Sequence, residues 1–122
     1  MDDAPSFAPY EVVVVPFPFT DRDASKRRPA IILSSAAFNL ASGHAVMAMV
    51  TSAEQSAWPG DVTLADLASA GLTSPCIVRL KLFTLDLRFV IRKAGSLSQA
   101  DCQAVQSAWT HNLAVNTSSY LQ

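Results

Sequence analysis

A cluster of charged residues separates two apolar segments near the start of the chain. The sequence reads VVVVPFPFTDRDASKRRPAIIL over residues 12–33, and its polar part contains Asp21, Arg22, Asp23, Lys26, Arg27 and Arg28. Pro29 fixes its own φ and biases Arg28 towards an extended conformation, so the direction of this guanidinium is set where the second segment begins. A guanidinium held in this way suits a phosphate, because it can donate two parallel hydrogen bonds to phosphoryl oxygens. A surface ion pair with Asp21 or Asp23 is the alternative.

Two further pairs of residues could act on an anion. Thr51 and Ser52 end the segment MVTS, and a hydroxyl there could donate to a phosphate or to a developing oxyanion. Hydroxyls at strand ends more often bond to their own backbone in turns, which is the alternative for this pair. Arg79 and Lys81 alternate along a later apolar segment and therefore share one face, where they could add cations beside Arg28. The alternative for them is an exposed strand edge that charge protects from aggregation.

The basic residues are concentrated although the net charge of the chain is −1. All nine lie in two blocks, residues 22–28 and 79–93, while the ten acidic residues are spread along the sequence. The low net charge argues against a general nucleic-acid binder. If the fold brings the two blocks together, however, they form a local anion-binding surface. Taken singly, each block is equally typical of solvated charge on loops and strand faces.

The sequence lacks the motifs of other common active sites. Cys76 and Cys102 are far apart, and His44 and His111 are isolated, so neither a zinc site nor a disulfide framework is predicted. The cysteines are expected to be half-buried and the histidines to lie at the surface. There is no glycine-rich phosphate loop, metalloprotease motif or nucleophile elbow. No metal and no cofactor are therefore predicted.

The composition is that of one compact domain spanning residues 1–122. The chain has 122 residues, of which 50% are hydrophobic and 16% charged, so it can bury a core without disulfides or metals. Its apolar runs are too short to span a bilayer, and its acidic, proline-containing N-terminus is unlike a signal peptide. A cytoplasmic protein without a membrane segment is expected.

The hydrophobic pattern predicts a mainly β domain of the α+β kind. Strands are expected at residues 11–17, 29–36, 45–52, 61–64, 74–83 and 85–93. The segment AAFNLASG should turn the chain, and ADLASAG should form a helical turn closed by Gly71. In the last predicted strand, apolar and polar residues alternate, so one of its faces should be buried.

A C-terminal helix should begin at Ser98. Asp101 lies three residues later, as in a capping box, and Leu97 with Cys102 can form a hydrophobic staple. Helical spacing places one group of side chains on a single face: Cys102, Val105, Trp109 and Leu113. We therefore expect a small antiparallel β-barrel or sandwich with this helix docked on it, and a homodimer is a common way to bury an edge strand in so small a sheet.

The order of these segments resembles the MazF/PemK family of bacterial toxins. The resemblance spans about residues 10–114 and includes VVVVPFPFTD, SKRRPAIILS, AVMAMVTS, GDVTL, AGLTSPCIVRLKLFTLD and GSLS in the family's order. It implies an SH3-like β-barrel with a C-terminal helix, usually a homodimer. It also implies a metal-independent endoribonuclease that cuts single-stranded RNA at short sequences. Such toxins are silenced by a cognate antitoxin, whose disordered tail is expected to cover the basic groove.

The resemblance also assigns roles to residues. Arg28 matches the family's main catalytic arginine and Thr51 its active-site threonine, while Arg79 aligns with an arginine that some members use near the scissile phosphate. A second set is expected to bind RNA, chiefly through its phosphates: Arg22, Lys26, Arg27, Ser52 and Lys81. Trp58, in the loop after VTS, is expected to pack or to contact the dimer partner rather than to stack on a base.

Departures from the family pattern leave the proton acceptor open. Lys81 stands where some members have an aspartate, and the position of a loop histidine falls near Arg22. Glu11 and Asp86 are the remaining candidates, if the fold brings them to the site. A weakly active or inactive member that serves as an antitoxin-binding or regulatory module is therefore the alternative. A gyrase-directed toxin on a related barrel is a third hypothesis, which no motif favours.

Overall fold

The structure is a computed structural model that describes residues 6–17, 26–54 and 57–114. Its elements in chain order are β1 (Glu11–Phe17), β2 (Lys26–Ile32), α1 (Ala36–Ser42), β3 (His44–Ser52), β4 (Val62–Thr63), α2 (Leu67–Ala70), β5 (Cys76–Asp86), a 3₁₀ turn (Leu87–Phe89), β6 (Arg92–Ser96) and α3 (Gln99–Asn112). The strands form one antiparallel sheet in the order β4-β5-β3-β2-β1-β6, which curls into an open half-barrel. The expected mainly β, SH3-like barrel with a C-terminal helix is confirmed.

Both faces of the sheet are covered, which explains why β1 is a continuous run of valines. Val12 packs in a cluster with Val105 of α3, and we name this side of the sheet the helix face. Val13 and Val15 pack on the other side with Phe7 and Met47, and we name this side the far face. Because successive side chains of a strand alternate between faces, a strand covered on both sides needs apolar residues at every position.

The segment predicted as a turn at residues 36–43 is a helix, so that expectation was wrong. The side chain of Ser35 caps α1 by accepting a hydrogen bond from the backbone N–H of Phe38 at 3.1 Å. Gly43 ends the helix with φ 71° and donates its N–H to the carbonyl of Asn39. The two caps satisfy backbone groups at both ends, which lets a seven-residue helix replace the turn.

The predicted strand at residues 85–93 was also wrong. β5 continues to Asp86, whose carboxylate then accepts a hydrogen bond from the backbone N–H of Arg88 at 2.9 Å and begins the 3₁₀ turn. β6 starts afterwards, at Arg92. The side chains of Phe89 and Ile91 are 46% and 39% exposed, so they do not form the buried face that their alternation predicts. Local capping by Asp86 therefore overrides the alternating pattern.

The predicted start of the C-terminal helix is confirmed, but the capping box is half formed. The hydroxyl of Ser98 accepts a hydrogen bond from the backbone N–H of Asp101 at 3.2 Å. The buried carboxylate of Asp101 instead accepts from the N–H groups of Ala65 and Asp66, each at 2.9 Å. The carboxylate thereby links α3 to the segment that begins α2. Val105 is buried, with Cys102 and Trp109 packed against its cluster, as predicted.

Replacing Asp101 by alanine should lower the free energy of unfolding by about 1–3 kcal/mol, the typical cost of leaving hydrogen-bond donors without their partner. Urea denaturation measures the change. Gln103→Ala, at an exposed position of the same helix, is the matched control and should change little. Equal stability of the two variants would show that the contacts of Asp101 with Ala65 and Asp66 contribute nothing.

No helix in the described ranges has both the length and the apolar character needed to cross a bilayer.

Candidate functional site

A cleft of about 500 Å³ opens where β2 begins, β3 ends and β6 begins. Residues 71–74, which follow α2, form its wall. The polar lining consists of three arginines, Arg27, Arg28 and Arg92, and four hydroxyl residues, Thr51, Ser52, Thr73 and Ser74. The lining contains no aspartate or glutamate among the described residues. The cleft is therefore a positively charged site rich in hydrogen-bond donors, which suits an anion.

Arg28 and Thr51, two of the predicted catalytic residues, both line this cleft. The pairing of β2 with β3 ends at Ala30 opposite Met49. Continuing the same register for two more residues would place Arg28 opposite Thr51. Residues that face each other across an antiparallel pair have side chains on the same face, here the far face on which Ala30 packs. The fold thus brings together two residues that are 23 positions apart in sequence.

The guanidinium of Arg28 is positioned but incompletely hydrogen-bonded. Its Cζ lies 5.0 Å from the centre of the Phe17 ring, which supports one side of the planar group. Its Nε is buried and has no hydrogen-bond partner in the described part of the chain. A buried donor without an acceptor is unfavourable, so a ligand oxygen in the cleft would supply a missing interaction.

Arg79 is close to Thr51 but outside the cleft. It lies opposite Met49 in the sheet, while Thr51 lies opposite Ile77, so Arg79 projects on the same face as Thr51. Its guanidinium donates from Nε and Nη2 to the carboxylate of Asp61, at 3.1 and 2.9 Å. This bidentate contact lowers the pKa of Asp61 below its ordinary value. Arg79 is therefore engaged with a carboxylate, whereas Arg28 lines the cleft.

Trp58 and Lys81 belong to the same neighbouring cluster as Arg79. The indole ring of Trp58 lies 5.7 Å from Cζ of Arg79 and 5.4 Å from Nζ of Lys81, both distances taken to the ring centre. The ring is still 43% exposed. Trp58 thus packs against two cations of its own chain, and neither Lys81 nor Trp58 lines the cleft.

The pair of Asp61 and Arg79 should be visible in the acid stability of the protein. The pKa of Asp61 is lower in the folded chain than in the unfolded chain, so its contribution is present above about pH 4 and is lost as the pH falls through the folded value. We expect Asp61→Asn to be less stable than the wild type at pH 6 and to lose less stability between pH 4 and pH 2. Urea unfolding at several pH values measures this. Parallel stability profiles of the two proteins would contradict it.

The candidate proton acceptors lie elsewhere. Glu11 accepts a hydrogen bond from the backbone N–H of Ala8 at 2.8 Å, and it does not line the cleft. Asp86 pairs with Arg88 at 2.7 Å, which lowers the pKa of Asp86 to about 2. Burial raises the pKa of the Cys76 thiol in the cleft. The described cleft residues therefore include no group that accepts a proton near neutral pH, and they can contribute hydrogen bonds and positive charge.

Of the other predicted RNA-binding residues, some line the cleft and others do not. Arg27 and Ser52 line the cleft, whereas Lys26 is exposed at the start of β2 and does not line it. The hydroxyl of Ser52 accepts a hydrogen bond from the backbone N–H of Glu54 at 3.2 Å, as expected of a turn former. Arg22, Asp21 and Asp23 lie outside the described residues.

Arg92 is a cleft residue that the sequence did not single out. It belongs to the second basic block, but the predicted strand at residues 85–93 gave it no distinct position. In the structure the chain turns at residues 87–89, and Arg92 then pairs with Val14 at the beginning of β6. Membership of the second basic block was the one sequence signal for Arg92. Its pairing with Val14 could not be predicted, because the alternating pattern of residues 85–93 gave no indication of the 3₁₀ turn.

Within the described ranges, no group of three or more histidine, cysteine, aspartate or glutamate residues could hold a metal ion.

Comparison with solved structures identifies close structural relatives. A MazE–MazF complex from Deinococcus radiodurans (form II) matches with a TM-score of 0.70 at 25% identity, covering 91% of this chain and 98% of that chain. An endoribonuclease from a mycobacterial species, in complex with its cognate antitoxin, matches with a TM-score of 0.72 at 19% identity, and the match covers 92% of this chain and 97% of that chain. The Mycobacterium tuberculosis toxin MazF-mt6 matches with a TM-score of 0.66 at 19% identity, and the match covers 83% of this chain and 93% of that chain.

One of two sequence comparisons identifies a family. A comparison with curated protein sequences finds no significant match. A family model described as the PemK-like, MazF-like toxin of type II toxin–antitoxin systems matches residues 8–113, which is most of the chain. Together with the barrel and its C-terminal helix, this match shows that the chain belongs to the MazF/PemK family of type II toxins.

Proposed function

We propose that this toxin is a metal-independent endoribonuclease that cleaves single-stranded RNA, including mRNA, through attack of the ribose 2′-OH. The observation that carries the proposal is the guanidinium of Arg28, whose buried Nε has no hydrogen-bond partner among the described residues and which lines, with Thr51, a cleft that contains three arginines. Such a site is complementary to a phosphodiester and to the additional negative charge that develops on it during cleavage.

The reaction forms one bond and breaks one. The 2′ oxygen attacks the phosphorus and loses its proton, and the 5′ oxygen of the next nucleotide leaves and gains a proton. The products are a 2′,3′-cyclic phosphate and a 5′-hydroxyl. Arg28 stabilises the non-bridging oxygens of the dianionic transition state, and the hydroxyl of Thr51 donates to one of them. Because the described cleft lacks a neutral-pH base, water is proposed to accept the proton of the 2′-OH and to supply the proton that the 5′ oxygen gains.

The remaining predicted residues have supporting roles in this proposal. Arg79 shares a face with Thr51 but is held by Asp61, so we assign it an electrostatic contribution near the scissile phosphate rather than direct contact. Phosphates on either side are positioned by the predicted RNA-binding set: Arg22, Lys26, Arg27, Ser52 and Lys81. Only two members of this set, Arg27 and Ser52, line the described cleft.

The proposal includes protein partners. The structural relatives include MazE–MazF complexes and an endoribonuclease bound to its cognate antitoxin. We propose that this chain forms a homodimer in the cytoplasm and that an acidic or amphipathic tail of its own antitoxin folds over the cleft. The cleft's positive charge would complement such a tail.

A weakly active or inactive member is the second candidate, and the absence of a proton acceptor from the described cleft favours it. Expression in a bacterial host separates the two functions. A nuclease is expected to arrest growth and to leave RNA ends that primer extension maps to a common short sequence. Arg88→Ala, which alters an exposed arginine away from the cleft, is the control and should behave like the wild type. Normal growth with uncut RNA would favour the binding module.

A further inference from the structure

We infer that Arg92 and Arg27 form a second phosphate subsite, which binds a backbone phosphate adjacent to the scissile one. The inference rests on the proposed function and extends it to Arg92, a member of the second basic block to which the sequence assigned no individual role. It concerns the helix face of the sheet, whereas Arg28 and Thr51 lie on the far face. The ligand is a phosphodiester of single-stranded RNA.

The alternation of side chains along β2 separates its two arginines. Arg28 is on the far face, where its guanidinium contacts Phe17. Arg27, its neighbour, must point to the other side. Arg27 pairs with Pro16 of β1, and Pro16 shares a face with Val14 and Val12, the latter packed in the helix-face cluster. The two adjacent arginines therefore approach the cleft from opposite faces of the sheet.

Arg92, on the strand at the other side of β1 from β2, lies on the same face of the sheet as Arg27. Val14 is the central residue of a row across three strands, with Pro29 of β2 on one side and Arg92 of β6 on the other. Residues directly opposite each other in antiparallel strands share a face, so Arg92 projects on the face of Val14 and hence of Arg27. Two strand spacings, about 10 Å, separate β2 from β6, and Arg27 lies two residues along β2 from Pro29, an offset of about 7 Å, so the backbones of the two arginines are roughly 12 Å apart. Long arginine side chains can span that distance and meet at one anion.

Arg92 is available for a ligand, unlike other arginines of the same basic block. Arg79 is bound to Asp61 and Arg88 to Asp86. Arg92 is exposed and lines the cleft, and its side chain has no hydrogen bond or ion pair within the described residues. Thr73 and Ser74, from the wall at residues 71–74, also line the cleft. Arg92 thus has no counter-ion among the residues that the structure describes and shares a cleft with a second arginine and hydroxyl residues, a combination that suits a phosphate.

The two sites differ in position and therefore in role. Arg27 and Arg28 line one cleft but leave β2 on opposite faces of the sheet, so we assign to Arg27 and Arg92 a phosphate next to the one bound by Arg28. The RNA backbone would then cross the sheet where β2 begins and β3 ends. Arg92 is thus a binding residue rather than a catalytic one, and its removal should raise KM more than it lowers kcat.

Binding of a non-cleavable RNA tests the inference. The probe is a fluorescent single-stranded RNA with 2′-O-methyl groups, titrated with the full chain at several salt concentrations between about 50 and 200 mM. We expect Arg92→Ala to weaken binding about tenfold at low salt. It should also reduce the slope of log K against log salt by about 0.7, because one phosphate of a single strand is no longer neutralised. Arg92→Lys should restore most of the slope.

The control is Arg88→Ala, which also removes an exposed arginine but lies outside the cleft and should bind like the wild type. Cleavage kinetics of an unmodified RNA accompany the titration, and Arg92→Ala should show a raised KM with kcat within a few fold of the wild type. If the wild type binds RNA and Arg92→Ala binds it with the same affinity and the same salt dependence, the subsite is overturned and the proposed function is not affected. A wild-type protein that neither binds nor cuts RNA would overturn the proposed function and the subsite with it.

Discussion

Replacing Arg28 by alanine should reduce cleavage of single-stranded RNA by on the order of a hundredfold or more, the usual effect of removing one charge-stabilising donor from an active site. The reason is geometric as well as electrostatic. Arg28 lines the cleft together with Thr51, and in the part of the chain that the structure describes its buried Nε has no acceptor, which a ligand oxygen could supply. The measurement is the initial rate of cleavage of a fluorescent RNA in the presence of EDTA.

The loss should not result from unfolding. Within the described residues, truncation of Arg28 breaks no hydrogen bond of its Nε, and a cation–π contact such as that with the Phe17 ring contributes about 0.5–2 kcal/mol. Arg28→Ala should therefore still unfold cooperatively and remain folded at the temperature of the cleavage assay. Arg28→Lys keeps the charge but loses the bidentate geometry, so it should remain strongly impaired. Rates within a few fold of the wild type for Arg28→Ala would remove Arg28 from the site.

Gly71→Ala should lower the free energy of unfolding by about 3 kcal/mol or more, since it combines backbone strain with an overpacked contact. Gly71 has φ +74°, a conformation that residues with a Cβ rarely adopt. An added Cβ would lie 2.0 Å from the carbonyl oxygen of Ala94, so the backbone of β6 or of the cleft wall must move. Because Gly71 and Ala94 both line the cleft, cleavage should fall together with stability.

Gly43→Ala separates the two contributions. Gly43 has nearly the same backbone conformation, φ +71°, but its added Cβ meets no atom within 4 Å. Its cost should be about 1–2 kcal/mol, from backbone strain alone, with cleavage unchanged. Urea denaturation and cleavage assays of both variants provide the comparison. Equal losses of stability would show that the close approach of Gly71 to Ala94 is unimportant.

Patterns that depend on neighbours in sequence predicted much of the fold. The valine run of β1, the apolar run of β3 and the capping signal of α3 each correspond to an element with nearly the expected bounds. These signals are local, because strand propensity and helix caps depend on a few adjacent residues. The family resemblance then implied the SH3-like barrel with its C-terminal helix and singled out Arg28 and Thr51 as candidate site residues.

The errors have physical causes of the same local kind. At Ser35 and Gly43, two caps stabilise a short helix in a segment that resembles a turn. At Asp86, one carboxylate caps a 3₁₀ turn and interrupts an alternating pattern that otherwise favours a strand. Short elements of this type depend on single hydrogen bonds, so average propensities do not resolve them.

The composition of the site was less predictable than the fold. Arg79 and Lys81 share a face, as expected, but the bidentate contact with Asp61 and the ring of Trp58 hold them in a cluster beside the cleft. Arg92 enters the cleft through its pairing with Val14, at the edge of the sheet opposite β4. These placements depend on contacts between residues distant in sequence, which neither periodicity nor charge blocks reveal.

The ends of the cleaved RNA show whether the cleft of Arg28 and Thr51 cleaves through the 2′-OH and without a metal. Purified wild-type protein is incubated in EDTA with a single-stranded RNA, and the ends of the products are identified by mass spectrometry. A matched RNA carries one 2′-deoxynucleotide at the mapped cleavage position. We predict 2′,3′-cyclic phosphate and 5′-hydroxyl ends from the first RNA, and no cleavage at the substituted position of the second. Equal cleavage of both RNAs, or cleavage that requires a divalent metal, would contradict the account.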